Sequence, residues 1–75
     1  MGKHISTYYS DFDEGYCEIH FDFKEEYAYI KYFDNNGKRF FTEDFKGKSM
    51  RYVEDAAENW ALGYKKIEKR GLQTY

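Results

Sequence analysis

The spacing of the apolar residues changes once along this chain, and that change sets its fold class. Between residues 16 and 45 apolar and polar side chains alternate, which is the period of half-buried β-strands. From Met50 onward the apolar residues recur every three or four positions, which is the period of one face of an α-helix. Strands followed by one helix predict an α+β fold, namely an antiparallel β-meander of three to four strands with one C-terminal α-helix packed on one face.

The strand prediction is clearest in the stretch YCEIHFDF. Cys17, Ile19, Phe21 and Phe23 fall on one side of this strand, and its polar residues fall on the other. The side with the rings and the thiol is therefore expected to face the core. The alternation in HISTYYS, residues 4–10, is weaker and leaves open whether that segment joins the sheet as a fourth strand.

A hairpin is predicted where Asn36-Gly37 separates the segments EYAYIKYF and KRFFTEDF, because Asn-Gly adopts the positive φ angles of tight hairpin turns. A two-residue loop is preferred because it places aromatic residues opposite aromatic residues. A three-residue loop with a bulge is the alternative, and it would shift every pair by one residue. The preferred register pairs Phe33 with Phe40, Tyr32 with Phe41, Ile30 with Glu43 and Asp34 with Arg39.

The helix is predicted to begin after Ser49, a favourable N-cap, and to run for about six turns to a stop at Gly71. Acidic residues near its start and basic residues near its end complement the helix dipole. Trp60 and Tyr64 lie on the apolar stripe and are expected in the core. The stripe consists of Met50, Val53, Ala57, Trp60, Ala61, Tyr64 and Ile67.

Gly63 is the anomaly in this helix, since glycine in a helix interior costs about 1 kcal/mol relative to alanine. It marks an early stop, a kink or a close backbone contact with a partner. Together with Lys65 and Lys66 it forms a candidate partner contact at the end of the helix.

Length and composition predict a single small domain over residues 1–75 that relies on aromatic side chains, which make up 23% of the chain, for its core. The chain has one cysteine and therefore no internal disulfide. No apolar run reaches the length of a membrane span, and the first ten residues lack the apolar centre of a signal peptide. These features predict a cytoplasmic protein without membrane attachment.

No group of residues predicts an enzyme, a cofactor or a metal site. Cys17 points toward the predicted core, where burial makes a thiol unreactive. Glu18, His20 and Asp22 share the other side of their strand, and His4 could join them as ligands for a divalent metal. A solvated polar face is the preferred interpretation of this group, because no second motif supports metal binding.

The sheet carries more rings than one helix can cover, which predicts a partner-binding surface on its other face or at its edge. A protein partner, or a second copy of the chain as a homodimer, is favoured, because aromatic residues and arginine anchor protein interfaces. The alternative is single-stranded nucleic acid bound by Tyr29, Lys31, Phe33, Lys38 and Arg39. The net charge of −2 and the acidic strand on the same face argue against that alternative. The predicted partner-binding residues are Tyr27, Tyr29, Lys31, Phe33, Arg39 and Phe40.

One segment carries a resemblance to known proteins. The stretch YVEDAAENWALG, residues 52–63, with its Glu58-Asn59-Trp60 and Gly63, resembles the C-terminal helix of small accessory proteins of tailed bacteriophages, those of cyanobacteria in particular. The resemblance implies a non-enzymatic phage protein that binds host machinery in the host cytoplasm. The basic residues after Gly63 are not part of it.

Overall fold

A computed structural model describes residues 2–66 of the chain. Its elements are β1 (Gly2–Tyr9), β2 (Tyr16–Asp22), β3 (Tyr27–Phe33), β4 (Arg39–Phe45) and α1 (Met50–Ala61). The strands form one antiparallel sheet in the order β1-β2-β3-β4, and α1 packs on one face of it, mainly against β2, β3 and β1. The predicted α+β meander is confirmed, and the segment at residues 4–10 joins the sheet as part of β1. Within residues 2–66 no helix has the length and apolar character needed to cross a membrane.

The core lies between α1 and the sheet face beneath it. Alternation places Cys17, Ile19, Ile30 and Tyr32 on that face, and all four are fully buried. The Trp60 ring lies edge-on to the Tyr32 ring at 5.3 Å, so the expectation that Trp60 is a core residue is confirmed. Burying each isoleucine contributes about 1.5–3 kcal/mol, which makes this layer the main source of stability. The helix contributes Val53, Ala56, Ala57, Trp60 and Ala61.

The turn between β2 and β3 corrects one predicted position. β2 ends at Asp22, so Phe23 lies in the turn and is 60% exposed instead of facing the core. The Asp22 carboxylate accepts hydrogen bonds from the N–H groups of Glu25 (3.1 Å) and Lys24 (2.9 Å), and these bonds lower the pKa of Asp22. Glu26 has a φ of 58°, which turns the chain back into β3 without a glycine.

The loop between β3 and β4 is the three-residue alternative, not the preferred two-residue loop. The N–H of Asp34 donates to the carbonyl of Lys38 at 2.9 Å, and Gly37 has a φ of 82°. The Asp34 carboxylate also accepts from the N–H groups of Asn36 and Lys38, both at 2.9 Å. This side chain therefore holds the wider loop in place.

A second irregularity in β4 restores the preferred register farther along the hairpin. Phe40 is the extra residue, because the register shifts between Tyr32 and Phe33. The predicted pairs of Phe33 with Phe40 and of Asp34 with Arg39 are therefore wrong, whereas the two pairs beyond the shift are confirmed. The observed pairs are Phe33 with Arg39, Tyr32 with Phe41 and Ile30 with Glu43.

The helix is shorter than the predicted six turns. The Ser49 hydroxyl caps its first turn by accepting from the N–H of Tyr52 at 3.2 Å, as expected for an N-cap. It is twelve residues long and ends at Ala61, and Gly63 follows with a φ of 85°. The prediction that the helix continues past residue 63 is wrong, because the helix stops at Gly63. Residues 67–71 of the predicted helix lie outside the described part of the chain. The N–H of Gly63 donates to the Trp60 carbonyl (3.0 Å) and that of Tyr64 to the Asn59 carbonyl (2.8 Å), which is the Schellman pattern.

The loop between β1 and β2 closes over this helix end. The N–H of Asp11 donates to the carbonyl of Ala61 at 2.9 Å, which satisfies one of the unpaired carbonyls of the last turn. The Phe12 ring lies against Gly63 so closely that a Cβ atom there would meet it at 2.6 Å. Residue 63 therefore favours glycine for its backbone angle, and any side chain there would also have to displace the Phe12 ring.

Candidate functional site

Four of the predicted partner-binding residues lie on the sheet face opposite α1, which we call the open face. Tyr27, Tyr29, Lys31 and Phe33 alternate with the buried residues of β3 and are half-buried. The Lys31 ammonium lies 5.9 Å from the centre of the Tyr29 ring. These four side chains therefore form one side of a single strand, as the alternation predicted.

The rings of the open face stack on one another across the strands. Tyr16 and Phe33 are nearly parallel, with 4.8 Å between their ring centres, and His20 and Tyr29 are equally parallel at 5.4 Å. His4 stacks on the other side of His20 at 5.2 Å. Stacking of this kind turns ring faces toward each other and leaves ring edges toward solvent. The open face is thus less apolar than its composition suggests.

The other two predicted residues of this set differ, since Phe40 leaves the open face and Arg39 stays on it opposite Phe33. Phe40 is the bulged residue of β4 and packs against the core, with its ring centre 6.3 Å from that of Tyr32, because a bulge places the extra side chain on the helix side of the sheet. Its predicted place on the open face is wrong. Arg39 is exposed beside the loop, opposite Phe33 in the register.

A groove of about 600 Å³ lies between α1 and β4, on the helix side of the sheet. Its volume falls within the range of about 300–1,000 Å³ that is typical of small-molecule sites. The groove is lined by Glu43, Phe45, Tyr52, Asp55, Ala56, Asn59, Tyr64, Lys65 and Lys66.

The helix packs mainly on the other three strands, and the groove lies on its β4 side. Tyr52, Asp55, Ala56 and Asn59 follow the spacing i, i+3, i+4 and i+7, so they share one side of α1 and form the helix wall of the groove. Ala56 has only a methyl group and does not fill the space toward β4. The neighbouring side chains of Tyr52, Asp55 and Asn59 are longer and carry hydrogen-bonding groups.

The floor of the groove is fixed by a network on Glu43. This carboxylate accepts a hydrogen bond from the hydroxyl of buried Tyr32 at 3.0 Å and pairs with the Lys65 ammonium at 2.9 Å. Both charged side chains are only 15% exposed, so this ion pair is shielded from solvent. The Lys65 ammonium also lies 5.4 Å from the centre of the Phe45 ring. The segment after the helix is therefore tied down to β4.

Two exposed tyrosine rings stand at the ends of the groove. Tyr52 is 52% exposed, and its ring lies edge-on to Phe45 at 6.0 Å. Tyr64 is 80% exposed and follows the helix stop, with its N–H bonded to Asn59. Tyr52 lies in the first turn of α1 and Tyr64 follows its last turn, so the two residues lie near opposite ends of the helix.

Sequence reasoning identified one end of this groove and missed the rest. Lys65 and Lys66, predicted as a partner contact near Gly63, both line it. Tyr64 was expected in the core, which is wrong, because the left-handed turn at Gly63 takes it off the helix stripe. Tyr52 and the polar side chains beside it were missed, although their i, i+3, i+7 spacing is a signal that the sequence contains.

The groups considered for catalysis or metal binding are arranged differently from a reactive site. Burial raises the pKa of the Cys17 thiol to about 12, so this thiol stays protonated and unreactive near neutral pH. The His20 imidazole is hydrogen-bonded to Glu18 at 2.9 Å. In the part of the chain that the structure describes, no three His, Cys, Asp or Glu side chains are grouped as a metal-binding set.

Comparison with known proteins connects this geometry to a family. A family model described as "Putative mucin or carbohydrate-binding module" matches residues 11–65, which is more than half of the chain. A binding module agrees with the expectation of a binding role, and the match gives no connection to bacteriophage proteins. Searches of the curated proteins and of the solved structures found no match. The matched residues include β2, β3, β4, α1 and nearly all of the groove lining.

Proposed function

We propose, from the premise that the chain belongs to the family of mucin or carbohydrate-binding modules, that its groove between α1 and β4 binds a carbohydrate. The observation that carries the proposal is the pair of exposed tyrosine rings at the two ends of a groove with hydrogen-bonding side chains between them. The protein acts as a binding module in this proposal, and its side chains hold the sugar without changing it.

The two rings supply the surface against which sugar rings pack. One face of a pyranose ring consists of C–H groups with a slight positive charge, and the face of an aromatic ring is negative, so the two attract each other. Tyr52 and Tyr64 are exposed enough to offer such faces to a ligand. Tyrosine loses little conformational entropy on binding, because only two side-chain torsions become fixed.

The side chains between the rings supply partners for hydroxyl groups. Asp55 accepts hydrogen bonds, Asn59 both donates and accepts, and Lys66 donates. A sugar hydroxyl is both a donor and an acceptor, so side chains that include both donors and acceptors suit it better than donors alone or acceptors alone. Lys65 contributes less, because its ammonium is already paired with Glu43.

The separation of the rings indicates the size of the ligand. Tyr52 lies in the first turn of α1 and Tyr64 beyond its last turn, and that separation exceeds the width of one pyranose ring, which is close to that of a tyrosine ring. We therefore expect a short oligosaccharide to bind more tightly than a monosaccharide, since only the oligosaccharide contacts both rings.

Isothermal titration calorimetry with oligosaccharides released from a purified mucin tests the proposal. We expect Tyr52→Ala and Tyr64→Ala each to weaken binding about three- to tenfold, since an aromatic contact contributes about 0.5–1.5 kcal/mol beyond burial. Phe23→Ala is the matched control, because Phe23 is as exposed as these tyrosines but lies away from the groove. Equal affinity of the double tyrosine variant and the native protein, or no binding of any mucin oligosaccharide, would reject the groove as a sugar site.

The narrower expectations from the sequence stay predictions. They are a bacteriophage origin, a host-protein partner, a homodimer and a cytoplasmic location, and a single-stranded nucleic acid ligand remains the less supported alternative. The mixed charges of the open face, with Glu18 opposite Lys31 and Asp22 farther along β2, continue to disfavour a polyanion there. Mass measurement during size-exclusion chromatography tests the homodimer directly.

A further inference from the structure

We propose that the open face carries a second carbohydrate site, built on Tyr9, and that one chain is therefore bivalent for glycans. For the class of its ligand this proposal rests on the proposed function, but the site itself is formed by different residues on the opposite side of the sheet. Its location is given by the register, in which Tyr9 of β1 pairs with Tyr16 of β2 and Tyr16 with Phe33 of β3.

Tyr9 is the one ring of this row that is mostly free. It is 71% exposed at the end of the edge strand, with its ring centre 5.7 Å from that of Tyr16. Behind it, Tyr16 and Phe33 are stacked at 4.8 Å and support the ring from the sheet side. A ring that is supported on one side and exposed on the other offers a sugar a stacking surface at low entropic cost.

The adjacent row of the open face supplies hydrogen-bonding groups. Thr7, Glu18, Lys31 and Thr42 are register partners across all four strands, two residues along from the ring row. Two residues along a strand correspond to about 7 Å, so a sugar that packs on Tyr9 can direct its hydroxyls toward this row. The row contains acceptors, donors and hydroxyls that are both, as a sugar requires.

Two of these polar side chains are already held in place. The Glu18 carboxylate is hydrogen-bonded to His20 at 2.9 Å, and the Thr7 hydroxyl to His4 at 2.8 Å. The two imidazoles stack on each other at 5.2 Å. Side chains that are oriented before the ligand arrives lose less freedom when it binds.

The chemistry of the open face favours a neutral sugar over the other ligands considered for it. Most ring faces are occupied by neighbouring rings, so bases could not insert between them in succession as single-stranded nucleic acid requires. Glu18 beside Lys31 cancels the charge that would attract phosphates. The exposed ring of Tyr9 and the polar row beside it are large enough to contact one or two sugar units.

The second site also lies partly outside the region that defines the family. The family match begins at residue 11, whereas β1, which contributes Tyr9 and Thr7, ends at residue 9. Because the groove and the open face are on opposite sides of the sheet, one short oligosaccharide cannot occupy both. Two sites on opposite sides allow a monomer to connect two glycan chains.

Titration calorimetry with one mucin-derived oligosaccharide measures the number of sites per chain. We expect two in the native protein, one in Tyr9→Ala, one in the double variant Tyr52→Ala/Tyr64→Ala, and two in the control Phe23→Ala. Emission of the buried Trp60 reports whether each variant is folded. Light scattering with intact mucin should increase for the native protein and the control, and stay low for the variants with a single site.

The possible results separate the two proposals. Suppose that the native protein binds one oligosaccharide, that Tyr9→Ala leaves this number unchanged and that Tyr52→Ala/Tyr64→Ala loses binding. This result overturns the second site and keeps the groove. Loss of all binding in Tyr9→Ala alone overturns the groove and the bivalency together. No binding by the native protein overturns both proposals. If scattering stays high in a variant with one site, the cross-linking comes from oligomers of the protein. That result would contradict bivalency of the single chain.

Discussion

Two glycines, Gly63 and Gly47, have nearly the same backbone conformation but different surroundings. Both have positive φ, 85° and 77°, which alanine adopts only at a cost of about 1–2 kcal/mol. A Cβ atom on Gly47 would meet nothing within 4 Å, whereas one on Gly63 would meet the Phe12 ring at 2.6 Å. Alanine at residue 47 would therefore introduce backbone strain alone, whereas alanine at residue 63 would introduce backbone strain and a steric conflict with Phe12.

We predict that Gly63→Ala destabilises the protein more than Gly47→Ala, by about 1 kcal/mol or more in the free energy of unfolding, because Phe12 must move. Urea unfolding followed by Trp60 emission measures both variants. Adding Phe12→Ala should reduce the effect of Gly63→Ala to that of Gly47→Ala. Equal effects of the two single glycine variants would show that the Phe12 ring moves away from a Cβ atom at residue 63 without a measurable cost in stability.

The helix and β4 are connected at the element scale by the Glu43–Lys65 ion pair. α1 stops at Ala61 and packs mainly on β2, β3 and β1. The chain after the helix returns to β4, where Lys65 meets Glu43 at 2.9 Å in a shielded position. This ion pair positions the segment that carries Tyr64, and with it one end of the groove.

We predict a coupling free energy of about 1–2 kcal/mol between Glu43 and Lys65 in a double-mutant cycle of Glu43→Gln and Lys65→Met, since both side chains are largely buried. Oligosaccharide affinity should fall in Lys65→Met although Lys65 itself offers the sugar little, because Tyr64 loses its fixed position. Lys46→Met is the control, since the Lys46 ammonium lies 5.0 Å from the centre of the Tyr27 ring, and neither residue lines the groove. Additive effects of the two substitutions would contradict the coupling.

At the scale of the whole molecule, the acid–base behaviour of Cys17 and of three partly buried tyrosines predicts how stability depends on pH. Burial raises the pKa of Cys17 from 9.0 to about 12 and also raises the pKa values of Tyr8, Tyr27 and Tyr29. These groups keep their protons in the folded state at a pH where the unfolded chain has lost them. Their contribution to stability is therefore complete below about pH 9 and is lost as the pH rises toward 12.

We predict that the free energy of unfolding falls steadily between pH 9 and pH 12. Cys17→Ala should show a shallower decline over the same range, because the group with the largest raised value is gone, although the variant begins less stable through lost packing. Denaturant titrations at several pH values measure the slopes. Identical slopes in the native protein and the variant would indicate that Cys17 ionises equally in both states.

Much of this molecule follows from local sequence. The strands, the N-cap at Ser49 and the layer of Ile19 and Ile30 were predictable, because side-chain alternation and capping depend on neighbours in the chain. The faces of β3 were predictable for the same reason, and with them Tyr29 and Lys31 on the open face. Gly63 was recognised as an anomaly whose meaning its neighbours alone did not decide.

Tertiary structure decided the rest, since it depends on contacts between residues far apart in the chain. The bulge at Phe40 offsets the wider loop because the core pairs Tyr32 with Phe41 from the other end of the hairpin. Phe12 of a distant loop lies against the helix stop at Gly63, and that stop exposes Tyr64. The groove arises from the position of α1 over three of four strands, which no local period encodes. Local periodicity determined which side of each element is apolar, and packing between the elements determined where a ligand could bind.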